Sequence, residues 1–358
     1  MNLLSVLLNT VLGVVILFNT ASQAAKLPNG FRRPVDKSLV SPAWFDGYHD
    51  YQSHVEYIHA LSAKHPSLSR IFTAGKDGPG INPAVVFFGT MHAREWVSTM
   101  VTEYIAYSLL EGYDTDRDIE HALDSFDFYI FPIVNPDGFV FTQTKDRLWR
   151  KNRQVNADKG RGASCVGRDL NRNWASAWGK SGGASDKPCR PTFRGFRPLD
   201  APETRALAVE LEAIREEQGI RLFIDWHAFG QLVMHPRGHT CAPSQQPSPH
   251  SPTRWVASEL ASSMRAVHGA EYGAGSACEL LYPTSGDSAD YAFDVLRVEY
   301  AYTVELRPGI GKGKGGRGGK RRSGGSAAGF ALPEKEIRMA AEEAWGGVRH
   351  VLRLIHAY

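Results

Sequence analysis

Residues 83–96 read PAVVFFGTMHAREW, and the order of residue types along them decides the fold. The apolar, β-branched run from Ala84 to Phe88 has no polar face, which predicts a strand buried on both sides. Within a few residues the same stretch delivers His92, Arg94 and Glu95. A buried strand that ends in a cluster of metal-binding and charged side chains is the pattern of an open α/β sheet, where ligands gather beyond the carboxyl ends of strands.

Working outward, the pattern recurs. FDFYIFPIVNP predicts a second buried strand, and IRLFIDWH a third that again ends in a histidine, His227. VEYAYTVELR alternates as a strand and carries Glu305. Between them, YQSHVEYIHALSAK, residues 97–111, 200–218, SPTRWVASELASSMRAVHG and the C-terminal PEKEIRMAAEEAWGGVRHVLRLIHAY carry helical periodicity. Strands alternating with helices predict a mixed or mainly parallel sheet covered on both faces.

The bulk properties agree with one large α/β domain: 358 residues, 42% hydrophobic and 22% charged. The net charge of +3 comes from one glycine-rich stretch holding Lys312, Lys314, Arg317, Lys320, Arg321 and Arg322. Without those six the 41 basic residues become 35 against 38 acidic ones, a balance of −3. Neither nucleic acid nor stable membrane association is therefore expected. The stretch itself, 309–329, is read as a basic, disordered surface loop. Residues 1–24, an uncharged apolar run followed by Ser22 and Ala24, are expected to be a secretory signal, with an uncleaved anchor as the alternative. Residues 25–44 are then expected to form a short polar leader, with one large domain from 45 to 358. In a secreted, extracellular protein the four cysteines, Cys165, Cys189, Cys241 and Cys278, favour disulfides. None form C-x-x-C, so a cysteine zinc site is not expected.

His92 and Glu95 have the spacing H-x-x-E, which lets an imidazole and a carboxylate reach one ion from a single turn. His227, 132 positions beyond Glu95 (227 − 95), can complete a His₂Glu set with the fourth position open for water. Taken singly, each histidine is more commonly structural. Neither H-E-x-x-H nor a phosphate-binding loop is present, since WGKSGG lacks the upstream glycine.

HAREW, LWRKNR, DLNRNW, DWHAFGQL, LYPTSGDSADY and YTVELR occur in that order. Together they resemble the zinc metallocarboxypeptidases of the pancreatic carboxypeptidase A and B type, from about residue 45 to the end. The resemblance implies a three-layer α/β/α fold on a mixed, mostly parallel twisted sheet of about eight strands. It also implies one zinc ion per chain on His92, Glu95 and His227, with Asp169 orienting the first histidine. Glu305 would be the general base and Arg150 the oxyanion-stabilising arginine. Asn171, Arg172 and Tyr282 would hold the terminal carboxylate of a peptide or protein substrate, and Arg94 an auxiliary subsite. It pairs Cys165 with Cys189, and Cys241 with Cys278 as in some members. Elementary chemistry agrees: a carboxylate outside the coordination shell can shuttle the proton, a fixed cation suits an oxyanion, and a guanidinium beside an amide suits a carboxylate. Solvated basic turns and a loop aromatic are the plain alternatives for those motifs.

The expected activity is release of single C-terminal residues by a secreted monomer. In the pocket segment, Ala289 stands where members selective for basic residues place an aspartate, which implies apolar and aromatic preference; Asp287 offers either a second, basic specificity or a mere turn cap. The alternatives are a non-catalytic binding relative and another zinc acyl hydrolase on the same scaffold. Three departures stand out: only about 20 residues are available for a prodomain, a strand-forming segment is missing between Gly75 and Pro83, and Pro308 follows E-L-R where the family has aspartate.

Overall fold

The computed structural model describes residues 12–16, 35–74, 82–156, 165–180, 182–309 and 327–356. Most of the expected signal and leader, the short stretch 75–81 and residues 310–326 of the basic loop lie outside them. Eight strands form one mixed sheet: β1 (Leu12–Ile16), β2 (Ser69–Thr73), β3 (Ala84–Gly89), β4 (Asp127–Phe131), β5 (Ile220–Ala228), β6 (Leu232–His235), β7 (Gly273–Ser276) and β8 (Tyr300–Leu306), in the order β2-β1-β4-β3-β5-β8-β6-β7. The central run from β4 through β3 and β5 to β8 is parallel, as are β6 and β7. Antiparallel pairings join β1 to both its neighbours and β6 to β8.

Period-two alternation divides the sheet between two cores. Val85, Phe87, Ile224, Trp226 and Val304 face a layer made by α1 (Tyr51–Lys64), α2 (Trp96–Gly112), α3 (Arg117–Ser125), α6 (Pro252–His268) and α9 (Ile337–His356). Val86, Phe88, Phe223 and Ala301 face α5 (Pro202–Glu217) and α8 (Ser288–Asp294). Two further short helices, α4 (Pro136–Thr144) and α7 (Ala277–Leu280), lie in the loops at the carboxyl ends of the strands. Local chemistry fixes the helix ends. Asp50 accepts from the Ser53 N–H at 2.7 Å at the start of α1, Ser251 caps α6, and Gly269 closes α6 in a left-handed conformation.

Both disulfides expected from the resemblance are present, Cys165–Cys189 and Cys241–Cys278, with Cα–Cα distances of 5.0 and 5.4 Å. Each contributes about 2–4 kcal/mol in the chain-entropy account. The second ties the β6–α6 connection to α7, immediately before Leu281 and Tyr282.

The N-terminus holds a finding the sequence did not anticipate. Residues 12–16, inside the stretch expected to be a removable signal, run between β2 and β4, with Val14 opposite Ile71 on one side and Ile130 on the other. An N-terminal segment thus occupies the sheet position between β2 and β4.

Candidate active site

The site lies beyond the carboxyl ends of β3, β5 and β8. After β3, residues 92–95 make a turn closed by the Glu95 N–H donating to the His92 carbonyl at 3.1 Å, and Glu95 then stands at the N-terminus of α2. His227 is the second-last residue of β5 and pairs in register with Glu305 on β8. Parallel pairing thus sets the distant histidine and the glutamate side by side.

His92, Glu95 and His227 are all buried and form the one cluster able to hold a metal ion among the described residues. The Glu95 oxygens lie 2.9 Å from His92 Nδ1 and 2.9 Å from His227 Nδ1, and the two Nδ1 atoms are 3.0 Å apart. On the outer side, His92 Nε2 is 3.1 Å from Asp169 Oδ1 and His227 Nε2 is 3.0 Å from Asp225 Oδ2. A carboxylate accepts only, so with a cation at the cluster each Nε2 would keep its hydrogen for the outer carboxylate and each Nδ1 would turn a lone pair inward. Two imidazoles and a carboxylate converging on one point suit a cation, and the donor set is one that zinc takes. Burial alone would raise Glu95, but the two imidazoles outweigh it and hold the carboxyl far below its usual range. Burial likewise acts to lower His227, yet Asp225 and Glu95 push it well above its ordinary value.

Asp169 organises the neighbouring cations. Its Oδ2 accepts from Arg150 at 2.9 Å and its Oδ1 from the Asn171 N–H at 3.1 Å. Although burial opposes ionisation, Arg150 and then His92 hold Asp169 well below the carboxylate range. Of N-R-N, the first two residues face the cleft and the third does not. Asn173 accepts from Ala201 N–H and Thr204 Oγ1 at the start of α5, which anchors the loop. Arg172 is held by Gly183, whose carbonyl accepts from Nε at 2.9 Å. Gly183 has φ of +80°, and a Cβ there would lie 2.3 Å from the Pro283 carbonyl oxygen. Gly286, with φ of +71°, approaches the Arg172 carbonyl just as closely, so a side chain at either glycine would push the pocket loop off the arginine.

Arg150, Asn171, Arg172, Tyr282, Asp287, Ala289 and Glu305 line one cleft with the two histidines. Tyr282 stands at the rim, 46% exposed. Glu305, in the cleft lining, has an enclosed Oε2 without a hydrogen-bond partner. Burial, and then the charge of Glu95, push its carboxyl up to about 7. Ala289 and Asp287 are both in the wall. Asp287 accepts from the Asp290 N–H at 2.8 Å and so caps α8, while Thr284 Oγ1 donates to its other oxygen at 3.1 Å. Arg94 is not in this wall; its guanidinium stacks 3.8 Å over Phe330. The sequence reading missed Asp225 and Ser288, although an acid two residues before His227 in an otherwise apolar strand was a usable signal.

The zinc carboxypeptidase family, peptidase M14, matches residues 71–347. Metallocarboxypeptidase A of Trichophyton tonsurans is 40% identical over 327 residues, covering 87% of this chain and 72% of the relative. A zinc carboxypeptidase of Simulium vittatum is 32% identical over 318 residues, covering 86% and 96%. Among solved structures, bovine thrombin-activatable fibrinolysis inhibitor in complex with tick carboxypeptidase inhibitor superimposes with a TM-score of 0.72 at 29% identity, covering 88% of this chain and 99% of that one. Carboxypeptidase A from Helicoverpa armigera gives 0.72 at 26% identity, covering 91% and 77%. With His₂Glu, an enclosed glutamate and an arginine–asparagine pair in one cleft, and with relatives matched along most of its length, the chain belongs to the zinc carboxypeptidases of the M14 family.

Proposed function

We propose that this metallocarboxypeptidase is a secreted enzyme that releases single residues from the C-termini of peptides and proteins, using one zinc ion held by His92, Glu95 and His227. Apolar and aromatic terminal residues are its main substrates, with secondary action on basic ones. The observation that carries the reading is the shared cleft: the metal-type cluster, the partnerless Glu305 oxygen and the Asn171–Arg172 pair all open onto it.

Zinc bound at the cluster supplies Lewis-acid polarisation of the scissile carbonyl and of an attacking water. Glu305, outside the cluster, takes a proton from the water and returns it to the leaving amine; a carboxyl raised toward neutrality can do both. Arg150, fixed by Asp169 at 2.9 Å, faces the developing oxyanion and needs no rearrangement to do so. Arg172 and Asn171 receive the terminal carboxylate, with Tyr282 closing from the rim, and this restricts cleavage to the last bond. The apolar wall at Ala289 suits apolar side chains. Two disulfides suit an oxidising compartment, and among the described residues no helix is long and apolar enough to cross a membrane.

The test is hydrolysis of blocked dipeptides with varied C-terminal residues, with and without 1,10-phenanthroline, and of their C-terminal amides. Cleavage of the free acids alone, abolished by the chelator, is expected. Equal cleavage of the amides overturns the carboxylate clamp, and full activity with chelator and without stoichiometric zinc overturns the metal assignment.

A further inference from the structure

Among the buried acids that the mechanism above does not use, Asp225 is fully enclosed at 0% exposure, on β5 two residues before His227. In a strand, residues i and i+2 share a face. Asp225 and His227 therefore both project toward α8, while Ile224 and Trp226 point into the opposite core. The Asp225 Oδ2 lies 3.0 Å from His227 Nε2 and accepts from the Ser288 hydroxyl at 2.5 Å. The Ser288 N–H donates to Asn171 Oδ1 at 2.9 Å, and Asn171 Nδ2 lies 3.1 Å from His227 Nε2. Four residues from β5, the N-R-N loop and α8 thus close a ring behind the second histidine.

Stability does not account for Asp225. Its Oδ1 is buried with no partner, and a buried carboxylate with an unmade hydrogen bond costs more than the apolar side chains that fill the rest of β5. We infer that Asp225, held by Ser288, is a positioning residue that fixes the tautomer and ring orientation of His227 for the metal and couples that ligand to the carboxylate clamp. The inference rests on the metallopeptidase reading above and assigns to His227 what Asp169 supplies to His92.

The coupling has a specific origin. One ring nitrogen cannot both donate to Asp225 and accept from Asn171. Because Asp225 takes the Nε2 hydrogen, the Asn171 amide beside it keeps its own hydrogens for a substrate carboxylate. Ser288 lies between Asp287 and Ala289, so the hydroxyl that holds Asp225 sits on the same turn as the pocket wall. An amide at position 225 can present N–H to the ring instead, which reverses the tautomer and turns the Nδ1 hydrogen toward the metal.

The experiment measures zinc affinity by competition with a chromophoric chelator, and the visible spectrum of the cobalt-substituted protein, for the native chain, Asp225→Asn, Ser288→Ala and the double variant, with melting curves to establish folding. Asp225→Asn should weaken zinc about 10–100-fold, the usual scale for loss of an outer partner of a ligand histidine, and should shift the cobalt bands. Ser288→Ala should do the same to a lesser degree, and the double variant should be less impaired than the product of the two, since both act on one bond. Unchanged affinity and spectrum in folded Asp225→Asn overturn the inference. Should that variant not fold, Ser288→Ala decides: unchanged affinity and spectrum there overturn it equally. Native protein that binds zinc but cleaves no free C-terminus would defeat the carboxypeptidase reading while leaving these metal measurements interpretable.

Discussion

Asp287 is expected to make the specificity of this enzyme depend on pH. Burial, then the neighbouring charge of Asp290, push its carboxyl up to about 7, against the lowering effects of the Asp290 N–H, Arg172 and Thr284. Below that value Asp287 is neutral and its side of the pocket favours apolar side chains; above it Asp287 carries a charge that can pair with lysine or arginine. A cation about 4 Å away at an effective dielectric near 20 gains ~4 kcal/mol. Removing the substrate's charge from water takes back a large part, so we expect a net ~1–2 kcal/mol, which is about 5–30-fold in kcat/KM. The assay is kcat/KM for blocked dipeptides ending in Phe, Leu, Lys and Arg from pH 6 to pH 8, on the native enzyme and on Asp287→Asn. Asparagine keeps the side-chain oxygen that caps α8, whereas alanine would add a capping loss of ~1 kcal/mol. Taking the ratio of basic to apolar substrates cancels the titration of Glu305, which affects both alike, and leaves the free-enzyme pKa of Asp287. With that pKa at about 7, the ionised fraction falls from ~0.9 at pH 8 to ~0.1 at pH 6, and with a ~5–30-fold gain in the ionised form the ratio should fall about 3–8-fold. Phe and Leu should still outrank Lys and Arg, because the Ala289 side of the wall is uncharged. A flat ratio across this range, or the same ratio in Asp287→Asn, would reduce Asp287 to a helix cap. Basic residues outranking apolar ones would refute the apolar assignment itself.

Glu305→Gln should retain one equivalent of zinc and lose at least ~10²-fold in kcat; a near-normal kcat would remove Glu305 from proton transfer. Arg172→Ala should act mainly on KM, because it removes recognition of the terminal carboxylate, and a fall in kcat with KM unchanged would contradict that role. A chain expressed without residues 1–24 should melt at a lower temperature than the full chain. It lacks the strand that pairs with both Ser69–Thr73 and Asp127–Phe131, and each net backbone hydrogen bond is worth about 0.5–1.5 kcal/mol. Equal melting temperatures would show that the folded enzyme does not need β1.

How much of this was legible beforehand varies with the range of the interaction. His92, Glu95 and His227 could be read as ligands because H-x-x-E and an apolar run ending in histidine, each weak alone, stand among six ordered motifs that resemble the zinc metallocarboxypeptidases. The helices of 14 to 20 residues, α1, α2, α5, α6 and α9, were found because their periodicity is written within a few turns. The role of Glu305 was not written locally. VEYAYTVELR shows only that the residue is on a strand, and its place beside His227 comes from the parallel register of β5 and β8. Asp225 went unread in DWH although its place two residues before His227 puts the two on one face of the strand; Ser288, which reaches it from 63 positions away, left no local signal. The four-residue strands LVMH and GAGS were missed because four residues are too few to show a period, and the glycines of GAGS carry little strand propensity of their own.

The N-terminal segment shows where sequence reading reaches a physical boundary. An uncharged apolar run has the same composition whether it is to be recognised by an export machinery or buried between two strands, because both environments select for low polarity alone. What separates the two uses is the partner, and the partners of β1 are more than 50 residues away along the chain, at Ser69–Thr73 and Phe128–Ile130. The one hint available was the short connection after Gly75, which implied a strand position without an occupant. A sheet cannot leave that position empty at low cost, since β2 and β4 would each expose a row of backbone donors and acceptors next to a buried core. Removal of the first 24 residues would therefore take a member out of the sheet.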